Sequence, residues 1–164
     1  MSTAQVSRGF TDEERRTWAP LTAVLELLPH QIDAQLLRDE ELTHFDYATL
    51  SMLALAESRR MRMTALATGV NATLSRLSHA ISRLEKRGFV RRIPTPEDAR
   101  ATTVQLTADG RRKVIRATPE HVRTVRSFVF DALDAEQRRQ LHDITAALLA
   151  RLDPEQRMLA SRMV

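Results

Sequence analysis

The residues with the most distinctive chemistry lie between Leu74 and Arg100, in the stretch LSRLSHAISRLEKRGFVRRIPTPEDAR. Apolar side chains recur there at helical spacing, and the positions between them carry serine, histidine and arginine instead of the usual glutamate and lysine. Short polar side chains let a helix axis approach the edges of bases, and arginine can donate two hydrogen bonds to guanine. The pattern favours a helix that fits against a polar, negatively charged surface.

The charge of the chain is concentrated around this helix. Between Arg59 and Arg92 there are nine Lys and Arg residues against one acid, Glu85, which gives this segment a charge of +8. The net charge of the whole chain is +4, so the remainder carries −4. Such an asymmetry is typical of a surface that binds a polyanion.

The residues on either side of the helix predict how it is positioned. A short helix over MTALATGV ends at Gly69, where we expect a left-handed backbone conformation, and Asn71 follows in the turn. Thr73 is the expected N-cap of the second helix, and Gly88 stops that helix. Two short helices joined by a tight turn, the second with a polar and basic face, indicate a helix-turn-helix.

Two strand-like segments follow this helix pair, FVRRI and TTVQL, joined by the loop PTPEDARA. Two strands behind a helix-turn-helix make a winged helix, and an arginine at the tip of the wing can enter the minor groove. Asp98 and Arg100 are two residues apart in this loop, so the carboxylate can orient the guanidinium.

The two ends of the chain carry long apolar stripes at helical spacing. Pro20 and Pro29 interrupt the first of these stripes, so we expect kinks or a break there. The predicted fold is mainly α: a winged helix-turn-helix lobe with a small two-stranded wing, flanked by N- and C-terminal helices. We expect the helical ends to bury their stripes against a second copy of the chain. The expected division is 1–40 and 107–164 for dimerisation and 41–106 for DNA binding.

The segments LEKRGFVRR and PEDARATTVQLTADG, together with the helix pair before them, resemble MarR-type transcriptional regulators. The resemblance extends from about Leu21 to Leu152. It implies a triangular homodimer whose two winged lobes read a pseudo-palindromic operator in double-stranded DNA, most often as a repressor. It also implies a pocket between the dimerisation helices and the winged lobe, commonly occupied by a small anionic aromatic compound such as salicylate.

The candidate site residues follow from these patterns. The expected DNA contacts are Thr73, Ser75, Arg76, Ser78, His79, Arg83, Arg91, Arg92, Asp98 and Arg100. The expected ligand contacts, near the junction of the first long helix and the lobe, are Trp18, His30, His44, Phe45 and Tyr47. Other interpretations stay open: His79 as a plain surface histidine, Arg91 and Arg92 as charges that protect a strand edge, and Phe45 and Tyr47 as ordinary core residues.

Composition and motif searches narrow the function classes. The chain has 164 residues and no cysteine, which excludes disulfides, thiolate metal sites and thiol-based sensing. The five histidines show no metal-ligand spacing, and neither a nucleophile elbow nor a Gly-rich phosphate loop is present. We therefore expect no enzymatic activity, no metal and no cofactor. No apolar run is long enough to span a membrane and no secretory signal is visible, so we expect a cytoplasmic protein.

Two alternatives to a ligand-responsive regulator remain at the level of the sequence. One is an architectural DNA-binding protein that senses no small molecule, and the other is a protein-interaction module whose basic face meets an acidic partner. Short polar residues on the second helix suit a DNA groove better than a protein interface, where aromatic anchors dominate.

Overall fold

The structure is a computed structural model that describes residues 9–95 and 98–163, with backbone alone at residues 95 and 98–101. Its elements are α1 (Asp12–Glu40), α2 (His44–Leu55), β1 (Arg60–Arg62), α3 (Met63–Gly69), α4 (Leu74–Lys86), β2 (Val90–Thr95), β3 (Asp98–Leu106), α5 (Ala108–Val125) and α6 (Ala135–Leu152). A π-helical turn spans Arg126–Phe130, and a short 3-10 turn spans Ala160–Arg162. The expected mainly helical winged fold is confirmed. No helix in the described ranges is long and apolar enough to cross a membrane.

The first helix differs from its prediction. Thr11 forms a capping box with Glu14, and the helix then runs without interruption through Pro20 and Pro29 to Glu40. Of the expected kinks or break, the break is therefore wrong. Each proline removes one backbone donor, but the remaining hydrogen bonds of a 29-residue helix continue on both sides of it.

The wing contains three strands instead of the predicted two. The strand order is β1-β3-β2, and both neighbours are antiparallel to β3. Val104 of β3 is paired with Met61 on one side and with Arg92 on the other. The extra strand, Arg60–Arg62, lies in the basic segment before α3 and ties the start of the helix-turn-helix to the wing.

Gly69 lies close to a side chain of α2. Its expected left-handed conformation is wrong, because the positive φ of this turn falls on Asn71 instead, at 50°. A Cβ at Gly69 would lie 2.5 Å from the sulfur of Met52. Gly69 therefore lets α3 pack closely on α2, whereas Gly88 takes the left-handed conformation (φ 75°) that ends α4.

The core joins the winged lobe to the long helices. Leu50, Leu53, Leu66, Leu77 and Ile81 are fully buried at its centre. The same cluster includes side chains from the second half of α1 and the first half of α5, namely Ile32, Leu36, Val114 and Ala117. These two helices therefore hold the lobe through their inner halves, and their outer parts extend away from it.

Candidate nucleic-acid interface

The outward face of α4 is formed by polar and basic side chains. Thr73 caps the helix as predicted, with its hydroxyl accepting a hydrogen bond of 3.2 Å from the backbone N–H of Arg76. Leu77, Ala80, Ile81 and Leu84 form the buried stripe. The opposite side of the helix carries a row of residues spaced by three or four positions: Ser75, His79, Ser82 and Lys86. Ser82 is half-buried and the other three are exposed.

One flank of α4 is held by the first turn of α2. The guanidinium of Arg83 donates a hydrogen bond of 3.0 Å to the carboxylate of Asp46, which is only 4% exposed. Seven residues earlier on α4, the guanidinium carbon of Arg76 lies 4.3 Å from the centre of the Phe45 ring. Both arginines were expected to contact DNA, and both have protein partners in the absence of DNA.

The other flank of α4 is held by the wing. Glu85 accepts a hydrogen bond of 2.7 Å from the backbone N–H of Arg92 and also forms an ion pair with its guanidinium. That guanidinium also donates to the carbonyl oxygen of Ser78 (3.1 Å) and to the hydroxyl of Ser82 (3.0 Å). Arg92 therefore ties strand β2 to helix α4, while the exposed Arg91 donates to the side chain of Gln105 at 2.9 Å.

The two wing residues with an expected role, Asp98 and Arg100, belong to strand β3. Their side chains lie outside the described residues, so their orientation and contacts stay predictions.

A cleft of about 1040 Å³ lies beside this interface, between α1, α2, α4 and the end of the chain. Three of the five expected ligand residues line it: His30, His44 and Phe45. The other basic and acidic side chains that line it are Arg76, His79, Arg83 and Asp33. Its apolar lining includes Met52, Met158, Leu159 and Met163. The cleft therefore offers an apolar wall with several positive or hydrogen-bonding groups, and three of these, Arg76, His79 and Arg83, belong to α4.

The structure does not bring the other two expected ligand residues to the cleft. Tyr47 is buried, its hydroxyl lies 3.1 Å from that of Thr118, and its ring packs 4.5 Å from the ring of His121. Trp18 is near the start of α1, where it packs against Phe10. In a helix, residues two apart point to nearly opposite sides, so Phe45 and Tyr47 cannot face the same cleft.

Two histidines at the edge of this region have lowered pKa values. Burial lowers the pKa of His44, although the nearby carboxylate of Asp33 opposes that effect. Burial also lowers the pKa of His121, and the neighbouring His44 adds to the shift. The two rings stack at 6.2 Å, and the Nδ1 atom of His121 is buried without a hydrogen-bond partner among the described residues. Both side chains therefore favour the neutral form. The described residues contain no group of three potential metal-binding side chains in reach of one another.

Several side chains of the candidate interface and cleft were missed at the level of the sequence. Lys86 continues the exposed face of α4, and it could have been found by extending the spacing of Ser75, His79 and Ser82 by one turn. Asp46 is the N3 acid of the capping box of α2, a pattern that identifies a cap and gives no sign of the ion pair with Arg83. The contribution of residues 158–163 to the cleft has no periodic signal in the sequence.

A helix-turn-helix with a polar outward face, followed by an antiparallel wing that contacts that helix, defines a winged helix-turn-helix protein. A sequence model of the MarR family matches residues 42–102. The MarR family transcriptional regulator Sco3205 from Streptomyces coelicolor, solved in complex with DNA, is 41% identical, with a TM-score of 0.86 over 90% of this chain and 92% of that chain. AbsC from the same organism is 35% identical, with a TM-score of 0.83 over 89% of this chain and 98% of that one.

Curated sequences point the same way. An HTH-type transcriptional regulator of Bacillus cereus is 28% identical over 123 residues, which is 73% of this chain and 82% of that protein. The transcriptional regulator HosA of Escherichia coli O111:H- is 35% identical over 79 residues, or 48% of this chain and 57% of that protein. The chain belongs to the MarR family and is a transcriptional regulator.

Proposed function

We propose that the protein acts as a homodimeric, sequence-specific DNA-binding repressor on a pseudo-palindromic operator, in the cytoplasm. The observation that carries this proposal is the outward face of α4. Its short polar and basic side chains are exposed, while α2 and the wing hold both of its flanks. A rigid helix with such a face suits the major groove, where base edges present a distinct pattern of donors and acceptors.

The relatives support DNA as the partner. Sco3205, at 41% identity, was solved in complex with DNA, and it aligns over nine tenths of this chain. In this proposal Ser75, Arg76 and His79 approach base edges, Thr73, Ser78 and Arg91 lie near the phosphates, and Arg100 reaches into the minor groove with Asp98 as its orienting partner. Lys86 adds a phosphate contact at the far end of the helix.

The exposed apolar surface supports the dimer. No residue of α6 is buried, and its side chains Leu141, Ile144, Leu148 and Leu152 form an exposed stripe. The first half of α1 exposes Val24, Leu25 and Leu27 as well. Monomeric proteins rarely expose apolar patches of this extent. We therefore assign residues 1–40 and 107–164 to the dimer interface and 41–106 to DNA binding.

The cleft supports a response to a small anionic aromatic ligand. Phe45 and the methionines provide an apolar wall, and His30, His44 and Arg76 provide groups that can meet a carboxylate or a phenol. A ligand that occupies this cleft contacts both the long helix α1 and the recognition helix α4. It can therefore favour one spacing of the two recognition helices over another.

The proposal is tested by a gel-shift with DNA upstream of the protein's own gene, in the presence of excess random competitor. We expect the protein–DNA complex to persist at physiological salt. Arg76→Ala should lose about 1–3 kcal/mol of binding free energy and should show a relaxed preference at one symmetric base pair. Arg100→Ala should weaken binding more evenly across sequences, because the minor groove distinguishes fewer base pairs.

Arg139→Ala is the matched control, because Arg139 lies on the polar side of α6 and pairs with Glu136. It should bind as the wild type does. Binding that random competitor removes as readily as specific DNA would instead indicate an architectural protein. If neither Arg76→Ala nor Arg100→Ala changes affinity for any genomic site, the assigned surface is wrong.

A further inference from the structure

Arg76 belongs to two surfaces at once. It lies on the helix assigned to DNA reading, yet its guanidinium lies over the Phe45 ring, and both side chains line the cleft. A guanidinium stacked on that ring cannot at the same time extend into a DNA groove away from the ring. The position of this one side chain therefore connects the cleft to the reading face.

The Phe45 ring is a fixed platform. It lies in the first turn of α2, where the hydroxyl of Thr43 accepts a hydrogen bond of 3.0 Å from the backbone N–H of Asp46. The carboxylate of Asp46 accepts in return from the backbone N–H of Thr43 at 3.3 Å. The carboxylate of Asp33 on α1 accepts a further hydrogen bond of 2.7 Å from the backbone N–H of His44. These contacts fix the backbone on both sides of Phe45.

The two arginines on this flank differ in how readily they can leave. Arg83 pairs with the buried carboxylate of Asp46, and its departure would leave that charge without its partner, which is costly. Arg76 is exposed and meets a neutral, half-buried ring, and a cation–π contact at such a site is much weaker. Arg76 is therefore the side chain that can be exchanged between the protein and DNA.

We propose that Phe45 is a positioning residue for DNA recognition: its ring holds Arg76 against the cleft in the free protein, and Arg76 leaves the ring when α4 enters the major groove. This inference rests on the proposed function. The stacking free energy is lost on DNA binding and reduces affinity. An anion bound in the cleft next to Arg76 stabilises the held position, so the anion and DNA compete for the same guanidinium.

The test is the affinity of Phe45→Leu for a DNA duplex that the wild-type protein selects from a random library. Removal of the ring should tighten binding by about two- to five-fold per recognition helix, or about four- to twenty-five-fold for a dimer that uses both. Phe45→Tyr keeps the ring and should bind as the wild type does. Phe45→Met is a second ring-free variant in case Phe45→Leu does not fold. Unchanged or weaker binding by a folded ring-free variant overturns the proposal.

A double variant separates this inference from the proposed function. With Arg76→Ala in place, Phe45→Leu should have no further effect on affinity. If Arg76→Ala weakens binding but Phe45→Leu does not tighten it, only the positioning role of Phe45 fails. If Arg76→Ala binds as the wild type does, the assignment of Arg76 as a reading residue fails too.

A signal independent of DNA comes from the NMR resonance of the Arg76 Nε–H group. A ring-current shift should be present in the free wild type and in Phe45→Tyr, and absent in Phe45→Leu. The same resonance position in all three proteins would overturn the stacking.

Discussion

Single residues on and beside helix α4 divide into those that hold the helix and those that are available to DNA. Arg83 and Arg92 are engaged with Asp46 and Glu85, whereas Ser75 and His79 are exposed. All four residues look equally suited to DNA in the sequence. Their partners are distant along the chain or belong to another element, so only the folded arrangement separates the two groups.

The first prediction uses this difference between Arg76 and Arg83. Arg83→Ala should lower the free energy of unfolding by about 2 kcal/mol, because it leaves the carboxylate of the buried Asp46 without its cationic partner. Arg76→Ala should lower it by only about 0.5 kcal/mol, the strength of an exposed cation–π contact. Urea unfolding at one fixed protein concentration measures the free energy of unfolding of both variants and of the wild type. An Arg76→Ala variant that loses as much stability as Arg83→Ala would contradict the division.

The second prediction concerns pH and the paired rings of His44 and His121. Burial lowers the pKa of both residues in the folded protein, and Asp33 and Tyr47 are the other titratable groups beside them. The unfolded chain therefore binds protons more readily than the folded protein as the pH falls below about 6.5, the ordinary value for histidine. Stability is then full above that pH and declines below it.

The measurement is the free energy of unfolding at a series of pH values between about 7.5 and 5.5. The lower limit stays above the usual titration range of carboxylates, about 4. The double variant His44→Gln/His121→Gln should show a flatter profile than the wild type. His142→Gln, on the exposed surface of α6, serves as the control and should keep the wild-type slope. A wild-type profile that stays flat across this range would refute the prediction.

At the scale of elements, helices whose apolar spacing extends over many residues were predicted well. Helices α2, α3 and α4 have the predicted order, and Thr73 caps α4 through the expected side-chain hydrogen bond. Strand β1 was missed because three residues, Arg-Met-Arg, are too short for a periodic signal, and the strand exists only through its pairing with β3. The continuity of α1 through two prolines was missed because the prediction considered each proline alone. It did not count the backbone hydrogen bonds of the long helix on both sides of each proline.

The candidate cleft was predicted only in part. His30, His44 and Phe45 are close to a junction between elements, which the sequence locates. Trp18 is twelve residues before His30 on the same helix, a separation of about 18 Å along the axis, so it cannot reach the cleft. The contribution of the chain end, Met158 to Met163, depends on how the chain turns back after α6.

The third prediction concerns α6 as the dimerisation element. Ile144 is 56% exposed at the centre of the apolar stripe of α6, so an acid there should be excluded from an apolar interface. Ile144→Asp should be a monomer in analytical ultracentrifugation and should lose operator binding. Arg139→Asp places the same acid on the opposite side of the helix and should leave the dimer intact. An Ile144→Asp protein that sediments as a dimer would place the interface elsewhere.

At the scale of the whole molecule, the core makes the long helices and the DNA-binding lobe one unit. The inner halves of α1 and α5 share the hydrophobic core with α2 and α4. The buried Glu40 at the end of α1 also accepts hydrogen bonds from Lys113 (2.7 Å) and Arg116 (2.9 Å) of α5. A shift of α1 or α5 would therefore move α4 with it. This arrangement is what a ligand in the cleft needs in order to affect DNA binding at a distance.

The fourth prediction is the reciprocity of ligand and operator. A ligand that lowers operator affinity by a given factor must itself bind the operator complex more weakly by the same factor, and such factors typically lie between about 5 and 150. Salicylate and a panel of related phenolic acids are titrated into the free protein and into its operator complex. We expect weaker binding to the complex, because DNA draws Arg76 away from the cleft.

His44→Ala and His142→Ala form the matched pair for this titration. His44 lines the cleft, so its loss should weaken salicylate binding to the free protein while leaving ligand-free operator affinity near the wild-type value. His142 is exposed on α6, away from the cleft, and its loss should change neither affinity. Equal ligand affinity in the free and DNA-bound states would mean that the cleft binds without regulating. No binding by any compound of the panel would remove the aromatic-ligand proposal and leave a DNA-binding regulator without a response to such ligands.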